Sequence, residues 1–327
     1  MQKILIITDA WEPQVNGVVR TYQNTIHELE KNGKVVDVIH PYCVGFTRVK
    51  FPAYPEIELV INPWKMKQKI WVSLYEGWKI HIATEGPLGI YARMLLRKKE
   101  FTTCYHTQFP EFIQKRTKIP ASVFYPFYRW FHNNARSTMV PTQTMCDMLI
   151  SKGFTKVDVW SRGVDTKVFN PSRRNKPSHY IVCVSRVSKE KGLDDFCKLK
   201  GKKVLVGDGP YLNELRKKFP EVDFVGTKVG VELAELVANA DVFVFPSQTD
   251  TFGIVILEAI ACGTPVASYE QPGPIEVINL MYNGMYSGNL AHNVEACKLI
   301  NRAEVFESSK KWSWKQSTKQ FLEIIGE

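Results

Sequence analysis

Two carboxylates and a glycine lie close together in the segment SQTDTFGIVILEA, which follows the apolar run VFVFP. The pattern predicts a helix over residues 252–261 with Thr251 as its N-cap. Gly253 in the first turn would leave backbone N–H groups open to a phosphate or a sugar hydroxyl. Asp250 could accept hydrogen bonds from sugar hydroxyls, and Glu258 from both hydroxyls of a ribose. In the simpler alternative, Asp250 complements the helix dipole and Glu258 lies on the surface.

Three further loops after predicted strands combine glycine with charged side chains. In VSRVSKEKG, Arg186 and Lys191 could balance the charge of a diphosphate while a bond to it breaks. Alternatively this is a solvated turn, in which Lys189 would serve as well. Gly207 lies in the turn GDG, which is a weak signal by itself. Gly17, in NGVVRT, allows close backbone approach, and the following helix has N–H groups that could face an anion.

Short apolar runs alternate with helix-like segments along almost the whole chain, which predicts an α/β fold with parallel sheets. Strands are predicted at residues 3–8, 35–40, 79–84, 101–106, 137–142, 180–186, 202–208, 222–227 and 240–246. Helices are predicted at residues 21–33 and 232–240, and a closing helix at 310–325.

Two domains are expected in a chain of 327 residues, because each half is long enough to bury its own core. Segment 163–179 contains prolines and little apolar periodicity, which is typical of a linker. We expect a first domain over residues 1–168, a second over 169–309, and a final helix over 310–327 that crosses back to the first. Two such parallel sheets would face each other across a cleft, with the ligand at the carboxyl ends of their strands.

The composition excludes several classes of protein. Hydrophobic residues make up 44% of the chain and charged residues 23%, as in ordinary globular proteins. The seven cysteines are scattered, so neither a disulfide framework nor a metal site is predicted. No apolar run is long enough to span a membrane, and the N-terminus reads as a strand rather than a secretory signal. We therefore expect a cytoplasmic protein.

The net charge of +10 is concentrated in the first half of the chain. Residues 1–172 contain 23 Lys and Arg against 14 Asp and Glu, whereas residues 173–327 contain 20 against 19. The first half is expected to face an anionic partner, although a basic surface without a partner is an alternative. No nucleic acid is expected as a partner, because no nucleic-acid-binding module is recognised. The missing G-x-G-x-x-G argues against an NAD-dependent oxidoreductase.

Taken together, these segments resemble the GT-B glycosyltransferases of family 4, which are retaining enzymes with nucleotide-sugar donors. PSQTDTFGIVILEAIACGTPV is similar to their E-x7-E motif, with Asp250 in place of the first Glu and Glu258 as the second. VSRVSKEKG resembles their diphosphate site, NGVVR their first glycine loop, and GDGP another usual element. FTTCYHTQFPEF resembles the loop whose histidine, here His106, lines the sugar pocket. The resemblance covers essentially the whole chain and implies two Rossmann-like domains.

The resemblance further implies transfer of a hexose-type sugar from a UDP- or GDP-sugar to a hydroxyl acceptor with retention, without a metal or another cofactor. The donor-binding residues that it implies are Gly17, Arg186, Lys191, Gly207, Asp250, Phe252, Gly253, Ile254, Val255 and Glu258. The implied catalytic residues are His106, Arg186, Lys191 and Asp250. His106 would hold the sugar, because in a front-face reaction the leaving phosphate helps to deprotonate the acceptor.

TDAWEPQVNGVVRT, ATEGPLGIYAR and YHTQFPEF resemble the branch that transfers sulfoquinovosyl, glucosyl or mannosyl groups to diacylglycerol or related lipids. In WKMKQKIWVSLYEGWK, Trp64, Trp71 and Trp78 alternate with lysines, which suits an anionic membrane surface, and ASVFYPFYRWFH adds six aromatics. The protein would then be peripheral at the cytoplasmic face of a membrane. The alternatives are aromatics buried under a basic face, and an enzyme for a soluble or polysaccharide acceptor or an epimerase.

Overall fold

The chain divides into two compact units. The computed structural model describes residues 2–14, 16–51, 54–176, 179–248, 250 and 252–326. Unit 1 combines Met1–Arg162 with Trp314–Glu327, and unit 2 is Gly163–Ser313. The division comes earlier than the boundary expected after residue 168, and the return to unit 1 comes after Ser313 rather than after residue 309. The roles assigned to the two domains from the sequence remain predictions.

Each unit contains one large sheet. The strands of unit 1 are β1 Lys3–Ile7, β2 Val35–Ile39, β3 Arg48–Phe51, β4 Tyr54–Val60, β5 Lys79–Ile82, β6 Thr102–Cys104, β7 Thr138–Val140 and β8 Val157–Val159. Those of unit 2 are β9 Tyr180–Val184, β10 Lys202–Val206, β11 Asp223–Phe224, β12 Val242–Phe245, β13 Val266–Ser268 and β14 Gly284–Tyr286.

The helices of unit 1 are α1 Gly17–Lys31, α2 Lys67–Tyr75, α3 Pro87–Leu95, α4 Phe109–Thr117, α5 Tyr125–His132, α6 Gln143–Ser151 and, at the end of the chain, α14 Trp314–Ile325. Those of unit 2 are α7 Leu193–Cys197, α8 Leu212–Lys218, α9 Gly230–Asn239, α10 Ile254–Ala261, α11 Pro272–Val277, α12 Leu290–Cys297 and α13 Arg302–Ser309. None of the helices in the described part of the chain is long and apolar enough to cross a membrane.

Both large sheets are parallel and reverse their strand order once. The order is β2-β1-β5-β6-β7-β8 in unit 1 and β11-β10-β9-β12-β13-β14 in unit 2, while β3 and β4 form a separate antiparallel hairpin. The order reverses between β1 and β5 and between β9 and β12, where adjacent loops diverge and ligands bind in such sheets. The predicted α/β class with parallel sheets is confirmed.

Helices cover both faces of the unit 1 sheet. Leu5 and Ile7 of β1 pack in one apolar cluster with residues of α2, α3 and α5, whereas Ile4 and Ile6 pack in another with residues of α1 and α14. Successive side chains of a strand point to opposite faces, so two helical layers enclose the strand. Burial on both faces is the reason that these strands appear as continuous apolar runs in the sequence.

The C-terminal helix α14 is part of the unit 1 core. Its Phe321 packs against Trp160 with ring centroids 5.0 Å apart. The indole N–H of Trp160 donates to the backbone oxygen of Ser317 at 3.1 Å, and the Ser317 hydroxyl donates to the backbone oxygen of Ser161 at 2.7 Å. These buried contacts tie the end of the chain to the segment that follows β8.

All nine predicted strands are present, but the hairpin β3–β4 and the strands β8, β13 and β14 were not predicted. Three of these missed strands have only three residues, too few to show a periodic pattern. Helix α1 begins at Gly17 rather than at residue 21, because the side chain of Asn16 caps it by accepting from the N–H groups of Val18 and Val19 at 3.0 Å.

A glycine turn brings the loops after β9 and β10 into direct backbone contact. Gly207 has a positive φ of +138°, and a Cβ added there would lie only 1.9 Å from the backbone oxygen of Ser185. Gly207→Ala should therefore lower the free energy of unfolding by about 3 kcal/mol or more, because backbone must move to relieve the clash. Urea denaturation monitored by circular dichroism measures the loss.

Gly201→Ala is the matched control for this substitution. Gly201 also has a positive φ, +92°, but a Cβ there meets nothing within 4 Å. Its substitution should cost only the left-handed backbone term of about 1 kcal/mol. Equal losses in the two variants would mean that the contact with Ser185 does not constrain the turn.

Candidate functional site

The loops after β9 and β12 meet at the carboxyl edge of the unit 2 sheet. The Lys191 ammonium lies 2.5 Å from Oδ1 of Asp250, and both side chains remain partly exposed. Gly192 has a positive φ of +65°, and a Cβ there would lie 2.6 Å from the backbone oxygen of Pro246. Glycine thus allows the two loops to approach, and the ion pair joins residues from both sides of the point where the strand order reverses.

The structure distinguishes Lys191 from Lys189, which the sequence left as alternatives. The Lys189 ammonium pairs with Glu214 at 3.0 Å and lies 5.1 Å from the ring centroid of Tyr211. Its side chain is largely exposed, whereas that of Lys191 is mostly covered. Arg186 lies in the same loop and is partly buried. Arg186 and Lys191 are therefore the two less exposed cations of this loop, and Lys191 is the one that pairs with Asp250.

The loop after β10 packs against the loop that carries Arg186. The backbone N–H of Val187 donates to the backbone oxygen of Asp208 at 2.9 Å. A Cβ at Gly209 would lie 2.4 Å from the backbone oxygen of Val187, so this loop approaches as closely as the one at Gly207. Gly207 is thus placed beside Ser185, at the base of the loop with the two cations.

Helix α10 begins at Ile254, two residues later than predicted. Its N-cap is Gly253, which has a left-handed φ of +81° and therefore lies outside the first turn, where the sequence had placed it. Thr251, the predicted N-cap, lies outside the described residues. No side chain caps this helix among the described residues. The N–H groups of Ile254 and Val255 lie in the first turn, where the helix offers them no carbonyl acceptor, so they can donate to a ligand oxygen.

The side chains of Phe252 and Glu258 are both buried. Phe252 packs against Trp312 with ring centroids 5.9 Å apart, so its contribution to a ligand site would come from its backbone. Glu258 is only 3% exposed, and the alternative that it is a surface residue is wrong. Burying a carboxylate is unfavourable unless hydrogen-bond donors surround it, so this position is unusual for a helix that is otherwise apolar.

In unit 1, Gly17 is the first residue of α1, after the loop that follows β1. The expectation that the N–H groups opening this helix are free is wrong for two of them, because Val18 and Val19 donate to Asn16. A phosphate at this terminus would therefore have to contact the N–H of Gly17 or displace the Asn16 side chain.

His106 follows β6 and belongs to a cluster of buried polar side chains. Its Nε2 lies 3.0 Å from the Tyr22 hydroxyl, which lies 2.7 Å from Nε2 of His81. Nδ1 of His81 lies 2.8 Å from the Thr102 hydroxyl, and an Arg162 nitrogen lies 3.4 Å from Nδ1 of His106. Burial and the Arg162 charge lower the pKa of His81 to about 3 and hold that of His106 well below its usual value. Both imidazoles are therefore neutral at physiological pH.

Asp9 is a second buried acid that the sequence did not single out. It follows β1, and its carboxylate accepts from the Thr84 hydroxyl at 2.9 Å and from the N–H groups of Leu88 and Gly89 at 2.9 and 3.3 Å. It thereby connects the loops after β1 and β5 across the point where the strand order reverses. Desolvation is the largest influence on this group and raises its pKa to about 6.

The described residues contain no group of three or more His, Cys, Asp or Glu side chains that could hold a metal ion.

Two family models match most of the chain in succession. Residues 15–168 match Glycosyltransferase Family 4, and residues 164–311 match Glycosyl transferases group 1. The fold and these matches define the chain as a glycosyltransferase that uses a nucleotide-sugar donor. It belongs to the glycosyltransferases that these two models describe, which confirms the family resemblance inferred from its motifs.

Several characterised proteins are similar to it over most of their length. A GDP-mannose-dependent alpha-mannosyltransferase of Corynebacterium glutamicum is 29% identical, with 86% of this chain and 76% of that protein covered. The sulfoquinovosyl transferase SQD2 of Arabidopsis thaliana is 26% identical, with coverages of 93% and 69%. An alpha-monoglucosyldiacylglycerol synthase of Streptococcus pneumoniae is 26% identical, with coverages of 88% and 75%.

Solved structures share the fold at lower identity. Anabaena Alr3699/HepE, crystallised with UDP and glucose, superposes with a TM-score of 0.74 at 18% identity, and 99% of each chain is covered. A sucrose-phosphate synthase of Thermosynechococcus elongatus superposes with a TM-score of 0.79 at 17% identity, with 99% and 98% covered. These similarities identify the GT-B fold.

The raised pKa of Asp9 predicts a pH-dependent stability. Asp9 holds its proton more tightly in the folded state than in the unfolded chain, where its pKa is near 3.8. The stabilisation that results from this difference is complete below pH 3.8 and is lost as the pH rises through about 6. Relative to Asp9→Asn, the wild-type free energy of unfolding should fall by about 3 kcal/mol over this window. Urea titrations of both proteins across the window measure the difference, and a constant difference would show that the pKa is not raised.

Proposed function

We propose that this glycosyltransferase moves a hexose-type sugar from a UDP- or GDP-sugar, with retention, to a hydroxyl of a membrane lipid such as diacylglycerol. The observation that carries the donor half of the proposal is the ion pair of Lys191 with Asp250, which lies four residues before α10, a helix whose N-terminus no described side chain caps. Arg186 lies in the same loop as Lys191. A basic and aromatic surface of unit 1 supports the lipid acceptor. The similarity to a GDP-mannose-dependent alpha-mannosyltransferase and to an alpha-monoglucosyldiacylglycerol synthase agrees with both halves.

In the donor site, Arg186 and Lys191 would bind the diphosphate oxygens and stabilise their charge as the bond to the sugar breaks. The backbone N–H groups of Ile254 and Val255 would add a second set of donors. Asp250 would accept from a sugar hydroxyl, as it now accepts from Lys191. Glu258, buried in the second turn of α10, would accept from the ribose hydroxyls.

In the reaction, the bond between the anomeric carbon and the diphosphate oxygen breaks, and a bond from the acceptor oxygen forms on the same face of the sugar. The acceptor proton passes to the leaving phosphate, so no protein carboxylate needs to attack the sugar. His106 would hold a sugar hydroxyl through its neutral imidazole. A neutral ring suits this position, because positive charge develops at the anomeric carbon in the transition state.

The proposed acceptor surface is a face of unit 1 formed by α2, α3, α5 and the turn Pro63–Met66 before α2. These helices pack on one apolar cluster through Ile70, Ala92 and Phe131, so their outer sides belong to the same layer. The outer sides carry large apolar side chains that are exposed by 39% to 95%: Trp64, Trp71, Val72, Tyr75, Met94, Phe127 and Trp130. Aromatic side chains at this density among lysines suit the interface of an anionic membrane.

The aromatic residues of segment 121–132 divide between the core and this surface. Tyr125, Tyr128 and Phe131 are buried, whereas Phe127 and Trp130 are exposed. The guanidinium of Arg93 donates to the backbone oxygen of Trp130 at 2.9 Å and lies 5.0 Å from its ring centroid. This contact holds Trp130 in place at the surface, which lowers the entropic cost of inserting it into a lipid interface.

Substitutions in the donor site test the first half of the proposal. Arg186→Ala should lower kcat about a hundredfold, because one stabilising cation is lost from the leaving group. Glu258→Gln should raise the donor KM about tenfold, because a charge-assisted acceptor is lost. Product formation is measured by mass spectrometry with a panel of UDP- and GDP-sugars, and near-UV circular dichroism verifies the fold.

Glu295→Gln is the control for the acidic substitution. Glu295 lies on α12, is 67% exposed and pairs with Lys298, so its loss should leave the donor KM unchanged. If Arg186→Ala and Glu258→Gln both retain near-full activity in folded protein, the donor site is misassigned.

Charge reversal tests the membrane surface. Lys65, Lys67 and Lys69 are exposed on the turn and first part of α2, although Lys69 also pairs with Asp37 at 2.8 Å. Reversing all three to Glu should weaken binding to vesicles of phosphatidylglycerol at least about a hundredfold, since each lysine near such a surface contributes about 1 kcal/mol. Donor hydrolysis in solution should be unaffected. Co-flotation with vesicles measures the affinity.

The matched control reverses three exposed lysines of unit 2, Lys217, Lys298 and Lys310, which changes the net charge equally. This variant should keep its vesicle affinity. Equal weakening in both variants would leave only a general charge effect. Product analysis with diacylglycerol vesicles and with soluble acceptors then decides between a lipid acceptor and an enzyme for a soluble or polysaccharide substrate.

A further inference from the structure

The polar side chains around His106 form one continuous chain of hydrogen bonds. It runs from Arg162 to His106, Tyr22, His81 and Thr102 with distances of 3.4, 3.0, 2.7 and 2.8 Å. The side chains beyond His106 are almost completely buried, with exposures of 0% to 3%. Water cannot readily reach the bonds among Tyr22, His81 and Thr102, so each of these bonds needs both a donor and an acceptor from the protein, whereas His106 is partly exposed.

Arginine can only donate hydrogen bonds, and this property sets the donor-to-acceptor direction of every bond in the series. Nδ1 of His106 must accept from Arg162, so a neutral His106 carries its proton on Nε2 and donates it to the Tyr22 oxygen. The Tyr22 hydroxyl then donates to Nε2 of His81. His81 consequently carries its proton on Nδ1 and donates to the Thr102 hydroxyl. The two histidines therefore have opposite tautomers, and Arg162 decides both.

Arg162 is also an unusual cation. It is 3% exposed, and its partners among the described residues are neutral: the backbone oxygens of Trp160 and Ser161 at 2.6 and 3.2 Å, His106, Cys104, and the Trp160 ring at 4.3 Å. No carboxylate pairs with it among the residues that the structure describes. Its uncompensated positive charge therefore acts on the adjacent imidazoles and opposes their protonation.

We propose that Arg162 and Tyr22 are positioning residues that hold His106 as a neutral imidazole with its proton on Nε2, so that Nδ1 accepts a hydrogen bond from a hydroxyl of the transferred sugar. The substrate hydroxyl would take the place of the Arg162 donor, whose contact of 3.4 Å is the longest in the chain. The sugar contact rests on the proposed function, whereas the tautomer does not. An imidazole of the opposite tautomer would present N–H instead and would select a different substrate atom.

The other titratable groups near His106 support this arrangement. Desolvation raises the pKa values of the buried Tyr22 phenol and the buried Cys104 thiol, so both stay protonated at neutral pH. Glu85 exerts its electrostatic influence on both of them and is itself within 3.2 Å of Nε2 of His132. His81, the remaining neighbour, is held neutral by burial and by Arg162.

The first experiment is nitrogen NMR of the imidazoles in the complete wild-type chain, with His106→Gln and His81→Gln used to assign the signals. His106 should give the Nε2–H tautomer and His81 the Nδ1–H tautomer, and neither should titrate between about pH 5 and pH 9. This measurement requires no activity. A His106 that carries its proton on Nδ1, or that is protonated near neutral pH, overturns the proposal even if the chain is a fully active glycosyltransferase.

The second experiment compares three variants. Arg162→Met removes both the donor and the charge, so His106 should begin to protonate and kcat should fall about tenfold or more towards acidic pH. Arg162→Lys, which keeps a donor and the charge, should restore the flat pH profile. Tyr22→Phe should lower kcat about tenfold at every pH without an acidic limb, because the Nε2–H of His106 loses its acceptor and the ring is no longer held in place.

Arg93→Met is the matched control for the NMR signals. Arg93 is also a buried arginine that donates to backbone oxygens and lies against a tryptophan ring, but none of its contacts with the described residues is with a histidine. Its loss should leave the His106 tautomer unchanged. An Arg162→Met protein with the wild-type tautomer and pH profile contradicts the proposal, and if that variant does not fold, the wild-type spectrum and Arg162→Lys decide it.

Discussion

Parallel strands end at one edge of their sheet, and this constraint determines where all of the candidate chemistry lies. Where the strand order reverses, the loops of two neighbouring strands diverge and leave their backbone and side chains accessible. In unit 2 the ion pair of Lys191 with Asp250 lies at that point, and in unit 1 Asp9 bonds across the equivalent point to Thr84 and α3. The loops of unit 2 must also approach one another closely, and Gly192 and Gly207 permit this because neither has a Cβ.

The two units treat charge in opposite ways. The edge of unit 2 keeps the ion pair of Lys191 with Asp250 partly exposed, so little free energy is lost when a charged ligand replaces one partner of the pair. The corresponding edge of unit 1 buries Tyr22, His81 and Arg162, and the cost of burying charge keeps the imidazoles neutral. This difference suits a diphosphate in one unit and uncharged hydroxyls in the other.

The outer face of α2, α3 and α5 shows how one helix can carry a buried side and an exposed aromatic side, which the proposed membrane contact would use. Ile70 of α2 and Phe131 of α5 are completely buried, whereas Trp71 and Trp130, one residue away in each helix, are exposed. Adjacent helical residues point in directions about 100° apart, so a single helix can carry a core side and an aromatic surface side. Large exposed aromatics are rare on surfaces that contact only water, which is the reason to associate this face with a lipid interface.

Local periodicity allowed the sequence to determine the α/β class, nine of the fourteen strands that the structure describes, and the loops that carry the charged residues. These features depend on residues that are close together in the sequence. The missed strands β8, β13 and β14 are too short to show a pattern and form by pairing with distant partners. Only the tertiary structure distinguished Lys191 from Lys189, moved Gly253 from the first turn of α10 to its N-cap, and buried Glu258. Only the tertiary structure joined Arg162, His106, Tyr22 and His81, whose positions in the chain are far apart. Protonation and hydrogen-bond direction depend on burial and on such distant partners, and residue spacing in a sequence does not encode either of them.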